Sequence, residues 1–441
     1  MYAEVRATAR KMSFHPDCFH ESALIRRVAG GQAMRKSSVV LLVALGVFLP
    51  VFLFAGGSAE EAEETVELDL WIPGSGEDGL AYEEIIENFE GRVENVTVSL
   101  RVIPWAEYFT VLNTSFAGGV GPDVYGTGFG QLGPVLADGN LLPLDEYLEG
   151  WDGLEDISPA MLEAGTSDGT LYAILAPEIR LLVIRRDLFE QAGLDPEIPP
   201  SSLDELREYA ETLVIRDGDR IEVQGLDLKS GFNAEQELLQ FMAHVGQDRL
   251  WNEQLEPLFE TDEAVEALTI MQSYFRDGLS TYSEELEFMD GLGAMSFSST
   301  NAAPQLDATF GDDVVWHPMP NGRAGAWGTF FAVANDTSHP ELAVELFKEI
   351  MSAEGQMIIL EKQGFIPTRR SLEEEFLSIH PRHRVFFDGV QNGYTLGSIN
   401  PHFFQVIDAI RPAIEEAAYG IKEPEEALRD AAEHYRREVG R

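Results

Sequence analysis

Segments with the pattern of β-strands alternate with segments that have the pattern of α-helices along this chain, and that order allows few folds. Residues 66–72 (VELDLWI) and 96–103 (VTVSLRVI) alternate apolar and polar side chains, as half-buried strands do. Residues 82–89 and 105–116 repeat their apolar positions at helical spacing, and the glycine-rich run 118–122 ends the second of these helices. This order predicts an α/β fold with a largely parallel sheet.

Helical patterns dominate the rest of the chain, and short apolar strands separate them. The helices are predicted at residues 203–213, 234–244, 261–276, 340–351, 353–362, 404–418 and 424–439. The strands are predicted at residues 172–175, 181–184, 294–297 and 330–334. A barrel would need a regular eightfold alternation of strand and helix, which this pattern lacks. Because 441 residues are also many for one core, we expect two lobes, each a sheet flanked by helices.

Acidic residues outnumber basic residues by more than two to one. The chain has 76 Asp and Glu against 31 Lys and Arg, which gives a formal net charge of −45. A field of this sign repels nucleic acid and anionic lipid, so we expect neither as a partner. Binding of cations is an alternative explanation of the acidic surface, but a solvated face is the ordinary one.

Little in the sequence points to a metal, a cofactor or catalysis. Cys18 is the only cysteine, so an intramolecular disulfide is excluded, and the run HPDCFH (15–20) that contains it is too isolated to predict a metal site. Residues 128–133 fit the dinucleotide pattern G-x-G-x-x-G, but Pro134 follows at once and the motif does not open a βαβ unit. No G-x-S-x-G, H-E-x-x-H or P-loop pattern occurs. We therefore expect no cofactor, no metal ion and no catalytic residues.

Residues 34–59 have the layout of a secretory signal peptide. Two cations precede the apolar run 39–55, and small residues follow as far as Ala59, after which we expect cleavage. A retained membrane helix is the alternative, but the run is close to the lower length limit of a span and Pro50 interrupts it. No lipoprotein cysteine follows the run, so we expect the protein in the periplasm or outside the cell.

Residues 1–33 have no resemblance to a signal peptide. We interpret Met34 as the true start and residues 1–33 as an upstream extension that is not part of the native protein. Removal of residues 1–59 leaves 24 basic and 73 acidic residues and no cysteine, which excludes thiol catalysis in the mature chain.

A series of sequence blocks runs through residues 66–441. The first half contains LDLWIPG (68–74), FAGGVGPDVYG (116–126), NLLPLDEYL (140–148), DGTLYAILAPE (168–178) and RRDLFEQAGLDPEIPPSSLDELREYAETL (185–213). The second half contains TDEAVEALTIMQSYFRDG (261–278), GLGAMSFSS (291–299), HPMPNG (317–322), FFAVANDTSHPELAVELFKEIMSAEGQ (330–356), GFIPTRRSL (364–372) and NPHFFQVIDAIRPAIEEAAYGIKEPEEALRDA (400–431). In order and spacing, the set resembles the family 1 extracellular solute-binding proteins, the group that contains maltose-binding and related sugar-binding proteins.

The resemblance implies a two-lobed periplasmic-binding-protein fold of the α/β class, whose lobes are joined by crossing hinge segments. The N-lobe would comprise residues 66–176 with 332–364, and the C-lobe residues 177–331 with 365–441. Ligand binding closes such lobes about the hinge. The resemblance also implies the binding component of an ABC importer, which captures a sugar or oligosaccharide and delivers it to a membrane permease. We expect a monomer that is not an enzyme.

A binding site for a neutral sugar needs aromatic rings against its C–H faces and polar side chains for its hydroxyl groups. By their place in the family pattern, the resemblance implies the ligand-binding residues Trp71, Thr127, Glu178, Phe232, Ser299, Asn301 and Trp327. The three aromatic residues would stack on the sugar, and the Glu178 carboxylate would accept hydrogen bonds from hydroxyl groups at the first crossing. The structural alternatives are core packing for the aromatic residues and an exposed hinge charge for Glu178.

Departures from the pattern of the maltose-binding proteins put maltose itself in doubt. Asn301 and Thr127 each stand where that pattern has a tryptophan, and Ser75 with Gly76 replaces a charged pair. The same clamp could therefore bind a non-sugar solute. A polyamine would need acidic groups in the cleft, and a phosphorylated glycerol would need basic groups, for which Arg180, Lys229 and Arg369 are candidates. A secreted glycoside hydrolase is a further alternative, because a chain so rich in carboxylates offers many pairs that could act together.

Overall fold

The structure of the protein, a computed structural model, describes residues 65–231, 233–283, 287–397 and 399–440. The predicted signal peptide, the upstream extension and Phe232 lie outside these residues. The strands are β1 Val66–Pro73, β2 Val96–Ile103, β3 Val124–Thr127, β4 Thr166–Ser167, β5 Thr170–Leu171, β6 Ala173–Arg185, β7 Ile215–Asp217, β8 Arg220–Val223, β9 Met295–Ser299, β10 Val314–His317 and β11 Gly325–Val333.

The helices are α1 Gly79–Arg92, α2 Trp105–Ala117, α3 Phe129–Ala137, α4 Gly153–Asp156, α5 Pro159–Glu163, α6 Arg186–Ala192, α7 Leu203–Leu213, α8 Ala234–Val245, α9 Asp262–Arg276, α10 Ala303–Phe310, α11 Pro340–Ile350, α12 Ala353–Gln363, α13 Glu373–Ile379, α14 Arg384–Gln391, α15 Phe403–Ala418 and α16 Pro424–Glu438. Within the described ranges, none of them combines the length and the apolar character that a membrane span requires.

Seven strands form one sheet in the order β10-β6-β11-β3-β1-β2, and β9 pairs with β6 beside this path. Strand β1 is parallel to β2 and β3. Strand β11 is antiparallel to β3 and β6, and β6 is antiparallel to β9 and β10. The prediction of a largely parallel sheet therefore holds only around β1, because the strands that connect the two halves of the sheet run against each other.

Strands β6 and β11 pair with each other and contribute residues to both hydrophobic cores. The 13 residues of β6 form one strand where the apolar pattern predicted two, because Pro177 interrupts the pattern without ending the strand. Gly328 of β11 lies opposite Pro177 with a φ of +131°, a conformation that glycine adopts without a Cβ clash. The backbone N–H of Ile366 donates a hydrogen bond to the Pro177 carbonyl at 3.3 Å, which brings a third segment to the crossing.

The described helices cover the sheet on both faces and bury two hydrophobic cores. The first core contains Leu68 and Leu70 of β1 and packs helices α1, α11 and α12 together. The second core lies among α7, α8, α9, α15 and α16. Neighbouring residues of β6 point to opposite faces, so that Val183 belongs to the first core and Ile184 to the second. This long strand therefore anchors both cores.

Candidate ligand-binding site

Six of the seven predicted site residues lie in the described part of the chain, and five of them belong to strands of the large sheet. Their positions are Trp71 in β1, Thr127 at the end of β3, Glu178 in β6, Ser299 at the end of β9, Asn301 in the turn Thr300–Ala302, and Trp327 in β11.

Four of these residues meet where β6 passes β11. Glu178 and Trp327 are direct partners in the register of the two strands. The Ser299 hydroxyl donates a hydrogen bond to Glu178 Oε2 at 2.7 Å, and the backbone N–H of Asn301 donates to Ser299 Oγ at 3.2 Å. The structure therefore brings a carboxylate, a hydroxyl group and an indole ring together at the crossing, although they come from three distant stretches of sequence.

Arg180 holds this group together and was not among the predicted site residues. Its Nη1 donates a hydrogen bond to Glu178 Oε1 at 3.1 Å. Its Nε and Nη2 both donate to Gln236 Oε1 of α8, at 3.1 and 2.7 Å. The guanidinium carbon lies 5.3 Å from the centre of the Trp327 ring, within the range of a cation–π contact. Arg180 thus joins strand β6, strand β11 and helix α8.

Trp327 is buried, yet its indole nitrogen has no hydrogen-bond partner in the described part of the chain. Only 5% of the residue is exposed, and Nε1 finds no hydrogen-bond acceptor among the described residues. A Cβ added at Gly325 would overlap the Trp327 ring and would lie 2.9 Å from Gln240 Nε2. Gln240 accepts a hydrogen bond from the Tyr394 hydroxyl through Oε1, while its Nε2 has no partner in the described chain.

Helix α8 also places a buried carboxyl beside this group. Burial raises the pKa of Glu237 to about 8, because the charged form loses its hydration. Glu237 Oε2 has no hydrogen-bond partner in the described ranges. Nearby, Lys229 Nζ lies 2.9 Å from Asp227 Oδ2. Burial by itself would lower the pKa of Lys229, but the Asp227 carboxylate raises it overall.

Trp71 and Thr127 lie within the other half of the sheet. Trp71 is 6% exposed, belongs to the first core and has the guanidinium carbon of Arg101 4.5 Å from its ring centre. The Tyr108 hydroxyl donates a hydrogen bond to the backbone carbonyl of Trp71 at 3.2 Å. Thr127 is fully buried and pairs with Phe330, and its Oγ1 has no hydrogen-bond partner in the described chain. The predicted ligand contacts of these two residues remain predictions.

Two exposed aromatic side chains form a pair that the sequence patterns did not reveal. Trp105 begins α2 and is 44% exposed, and Phe404 lies in the first turn of α15 and is 40% exposed. Phe109 connects them, with ring centres 5.7 Å from Trp105 and 6.2 Å from Phe404. Two sequence features could have indicated these residues: Trp105 directly follows Pro104, and two adjacent aromatic residues begin α15.

The glycines of the 128–133 motif serve packing in this structure. A Cβ added at Gly130 would lie 2.7 Å from Phe404 Cζ. One added at Gly133 would overlap the carbonyl of Asn400 and lie 2.5 Å from the backbone nitrogen of Pro401. Gly133 lies in a helix, so the close approach of this backbone, rather than its φ angle, requires glycine.

The described residues also include no group of three or more His, Cys, Asp or Glu side chains arranged to hold a metal ion. The candidate site consists of polar and aromatic side chains, which strand pairing and the contacts of Arg180 hold in place.

A comparison with protein-family models matched residues 84–378 to the family described as bacterial extracellular solute-binding protein. This match covers more than half of the chain. The chain belongs to the bacterial extracellular solute-binding proteins. A search of curated protein sequences found no match.

Solved structures with the same two-lobed fold resemble this solute-binding protein over most of its length. The cyclic alpha-maltosyl-1,6-maltose binding protein from Arthrobacter globiformis is 21% identical, with a TM-score of 0.75 over 84% of this chain and 98% of that one. The sugar-binding protein MalE from Xanthomonas citri is 18% identical, with a TM-score of 0.74 over 85% and 98%. The maltose/maltodextrin-binding domain MalE from Bdellovibrio bacteriovorus, bound to maltotriose, is 20% identical, with a TM-score of 0.67 over 85% and 100%.

Proposed function

We propose that this solute-binding protein captures a sugar or oligosaccharide outside the cytoplasmic membrane and delivers it to the permease of an ABC importer. The observation that carries the proposal is the group at the crossing of β6 and β11. There Glu178 and Ser299 present hydrogen-bonding groups directly beside the Trp327 ring. A few convergent polar groups against a flat aromatic surface match the hydroxyl groups and C–H faces of a sugar.

The exposed pair Trp105 and Phe404 supports a sugar as the ligand. When a sugar ring covers exposed aromatic rings, their apolar surface is removed from contact with water, and this favours binding. The solved structures with the same fold include proteins bound to maltotriose, mannotriose and alpha-D-tagatose. We place Phe232 in the same site, as the family pattern implies, together with Trp71 and Thr127.

The alternatives fit the charges of the site less well. A polyamine would be held by carboxylates without cationic partners, but Arg180 pairs with Glu178 and Lys229 pairs with Asp227. A phosphorylated glycerol would need cationic groups that are free to bind it, and the same two pairs occupy these cations. The site therefore suits an uncharged solute.

The lobe boundaries form part of the proposal. The N-lobe comprises residues 66–176 with 332–364, and the C-lobe residues 177–331 with 365–441. Strands β6 and β11 run without interruption through two of these boundaries, and Ile366 is hydrogen-bonded to Pro177 at the third. Closure of the lobes about these segments would bring Glu178 and Trp327 toward the ligand.

We further propose that the protein is exported by cleavage after Ala59, that it acts as a monomer and that it returns its ligand chemically unchanged. The family match supports a location outside the cytoplasm, because the family is described as extracellular.

A thermal-shift measurement on residues 60–441 tests the proposed ligand class. The ligands are added one at a time, each at a concentration far above the Kd expected for specific binding. They are maltotriose, mannotriose, D-tagatose, spermidine and glycerol 3-phosphate. A ligand that binds only the folded state at about 100 times its Kd adds about 2.7 kcal/mol of stability. We expect a sugar to raise the midpoint and to be recovered unchanged by chromatography. A shift with spermidine or glycerol 3-phosphate alone would contradict the sugar, and a cleaved sugar would favour the hydrolase.

A further inference from the structure

All three guanidinium nitrogen atoms of Arg180 have hydrogen-bond partners in the candidate site. Three of its nitrogen atoms donate hydrogen bonds, one to Glu178 and two to Gln236, and its guanidinium lies over the Trp327 ring. Only 11% of the side chain is exposed. A planar fork with fixed donors holds a carboxylate in one orientation better than the single ammonium of lysine can.

The charge of Arg180 matters as much as its geometry. Glu178 forms an ion pair with Arg180, and Ser299 contributes only a neutral hydrogen bond to it. The whole chain has 76 acidic and 31 basic residues, so its field concentrates cations near the surface. In such a field, a partly buried carboxylate without a cationic partner would be a strong site for a cationic solute.

We propose that Arg180 sets the charge selectivity of the binding site, because it neutralises Glu178 and fixes it beside Trp327, so that the site accepts an uncharged solute and rejects cations. This inference rests on the proposed function, since it assumes that Glu178 faces the ligand. Arg180 is then a positioning residue whose removal changes which class of solute binds.

Arg185 is a matched control on the same strand. Its Nε and Nη2 donate to the Asp187 carboxylate, two residues away, at 2.9 and 2.8 Å. Its guanidinium carbon lies 4.3 Å from the centre of the Phe310 ring, and 12% of its side chain is exposed. Arg185 thus repeats the ion pair and the ring contact of Arg180 at the far end of β6, away from the predicted site residues.

Calorimetric titration with spermidine and maltotriose compares the wild-type protein with Arg180→Gln, Arg180→Lys and Arg185→Gln. We expect Arg180→Gln to bind spermidine at least about ten-fold more tightly than the wild type does, and to lose this gain at high salt. Arg185→Gln should match the wild type for both solutes. Arg180→Lys keeps the charge without the fork, so it should still reject spermidine while it binds maltotriose more weakly.

A double variant, Glu178→Gln with Arg180→Gln, identifies the carboxylate responsible. It should show no gain in spermidine binding, because it leaves no unpaired charge. Spermidine binding by Arg180→Gln that is no tighter than by Arg185→Gln would overturn the inference, as would equal gains in Arg180→Gln and Arg180→Lys. A wild-type protein that binds none of the sugars would instead contradict the proposed function, while the spermidine comparison would still decide the role of Arg180.

Discussion

The Trp327 ring packs in the second core, and the guanidinium of Arg180 lies over it. At this residue, core packing and the proposed ligand surface coincide. Trp71 has the same low exposure, but its ring packs in the first core beneath Arg101. The family pattern placed both residues in the cleft, because position in the sequence does not distinguish a buried tryptophan from one that stacks on a ligand. Only their surroundings distinguish the two residues.

Alanine variants of the two tryptophans distinguish core packing from ligand contact. Truncation of a buried tryptophan costs roughly 3–5 kcal/mol of unfolding free energy, so both Trp71→Ala and Trp327→Ala should be destabilised. Both variants should also bind the sugar more weakly by about five- to a hundredfold, because a stacked surface is lost in each. Urea unfolding and calorimetric titration measure the two effects. Normal affinity in either variant would remove that tryptophan from the proposed site.

Glu237 gives the stability of the protein a specific dependence on pH. Its pKa is raised from 4.5 to about 8 in the folded state, so the folded protein holds a proton that the unfolded chain releases between these values. Its contribution is therefore fully present below pH 4.5 and is lost as the pH rises to 8, by at most about 1.4 kcal/mol per pH unit.

Glu237→Gln should remove this contribution, because glutamine does not titrate. We expect the variant to gain stability relative to the wild type as the pH rises from 5 to 8. Urea unfolding of both proteins at three pH values across this range gives the difference. A constant difference would show that the Glu237 carboxyl is not held in its neutral form.

At the level of elements, helix α3 contacts the segment 400–404, and no local sequence pattern predicts this contact. Gly130 and Gly133 leave room for Asn400 and Phe404 to approach the helix backbone. The inward side chains of α3, such as Leu132, belong to the first core, whereas Val406 and Ile407 of α15 belong to the second. In the proposed lobe assignment, this is a contact between lobes.

Gly133→Ala should therefore weaken ligand binding by at least about ten-fold. The added methyl group overlaps the Asn400 carbonyl. We expect opening of the proposed lobes to relieve this overlap, so that its cost falls on the closed state. Gly91→Ala in helix α1 is the control, because a Cβ there meets no atom within 4 Å in the described chain. Titration and melting curves compare the two variants. Unchanged affinity in Gly133→Ala would place the contact within a rigid part of the molecule.

On the scale of the whole molecule, three chain segments cross the proposed lobe boundaries, and two of them are the neighbouring antiparallel strands β6 and β11. In the proposed lobe assignment, closure would change backbone angles in these three segments. We therefore expect the molecule to close on a solute without unfolding a helix or a strand.

Small-angle scattering on residues 60–441 measures this closure. A compact chain of this length has a radius of gyration of about 21 Å. We expect the radius of gyration to fall when a sugar that shifts the melting midpoint is added, and the mass to remain that of a monomer. An unchanged radius, with binding confirmed by calorimetry, would contradict closure of the lobes.

The sequence by itself determined features that depend on neighbouring residues. Helix α7, Leu203–Leu213, has the predicted bounds because its apolar spacing and the Ser202 cap, which accepts from the Glu205 N–H at 3.2 Å, are local. The α/β class and the family resemblance likewise follow from the order of such segments, and the family match confirmed that the chain is an extracellular solute-binding protein.

Only the tertiary structure decided which distant residues meet. The continuity of β6 through Pro177 depends on pairing with β11, about 150 residues later, which no local pattern contains. For the same reason the sequence named Glu178, Ser299 and Trp327 separately, and it named Arg180 only as a candidate cation for a phosphorylated ligand, because the role of Arg180 depends on its contacts with Gln236 and Trp327. The sequence also did not predict the approach of Phe404 to Gly130. A glycine leaves space for another segment, but only the tertiary structure shows which segment fills that space.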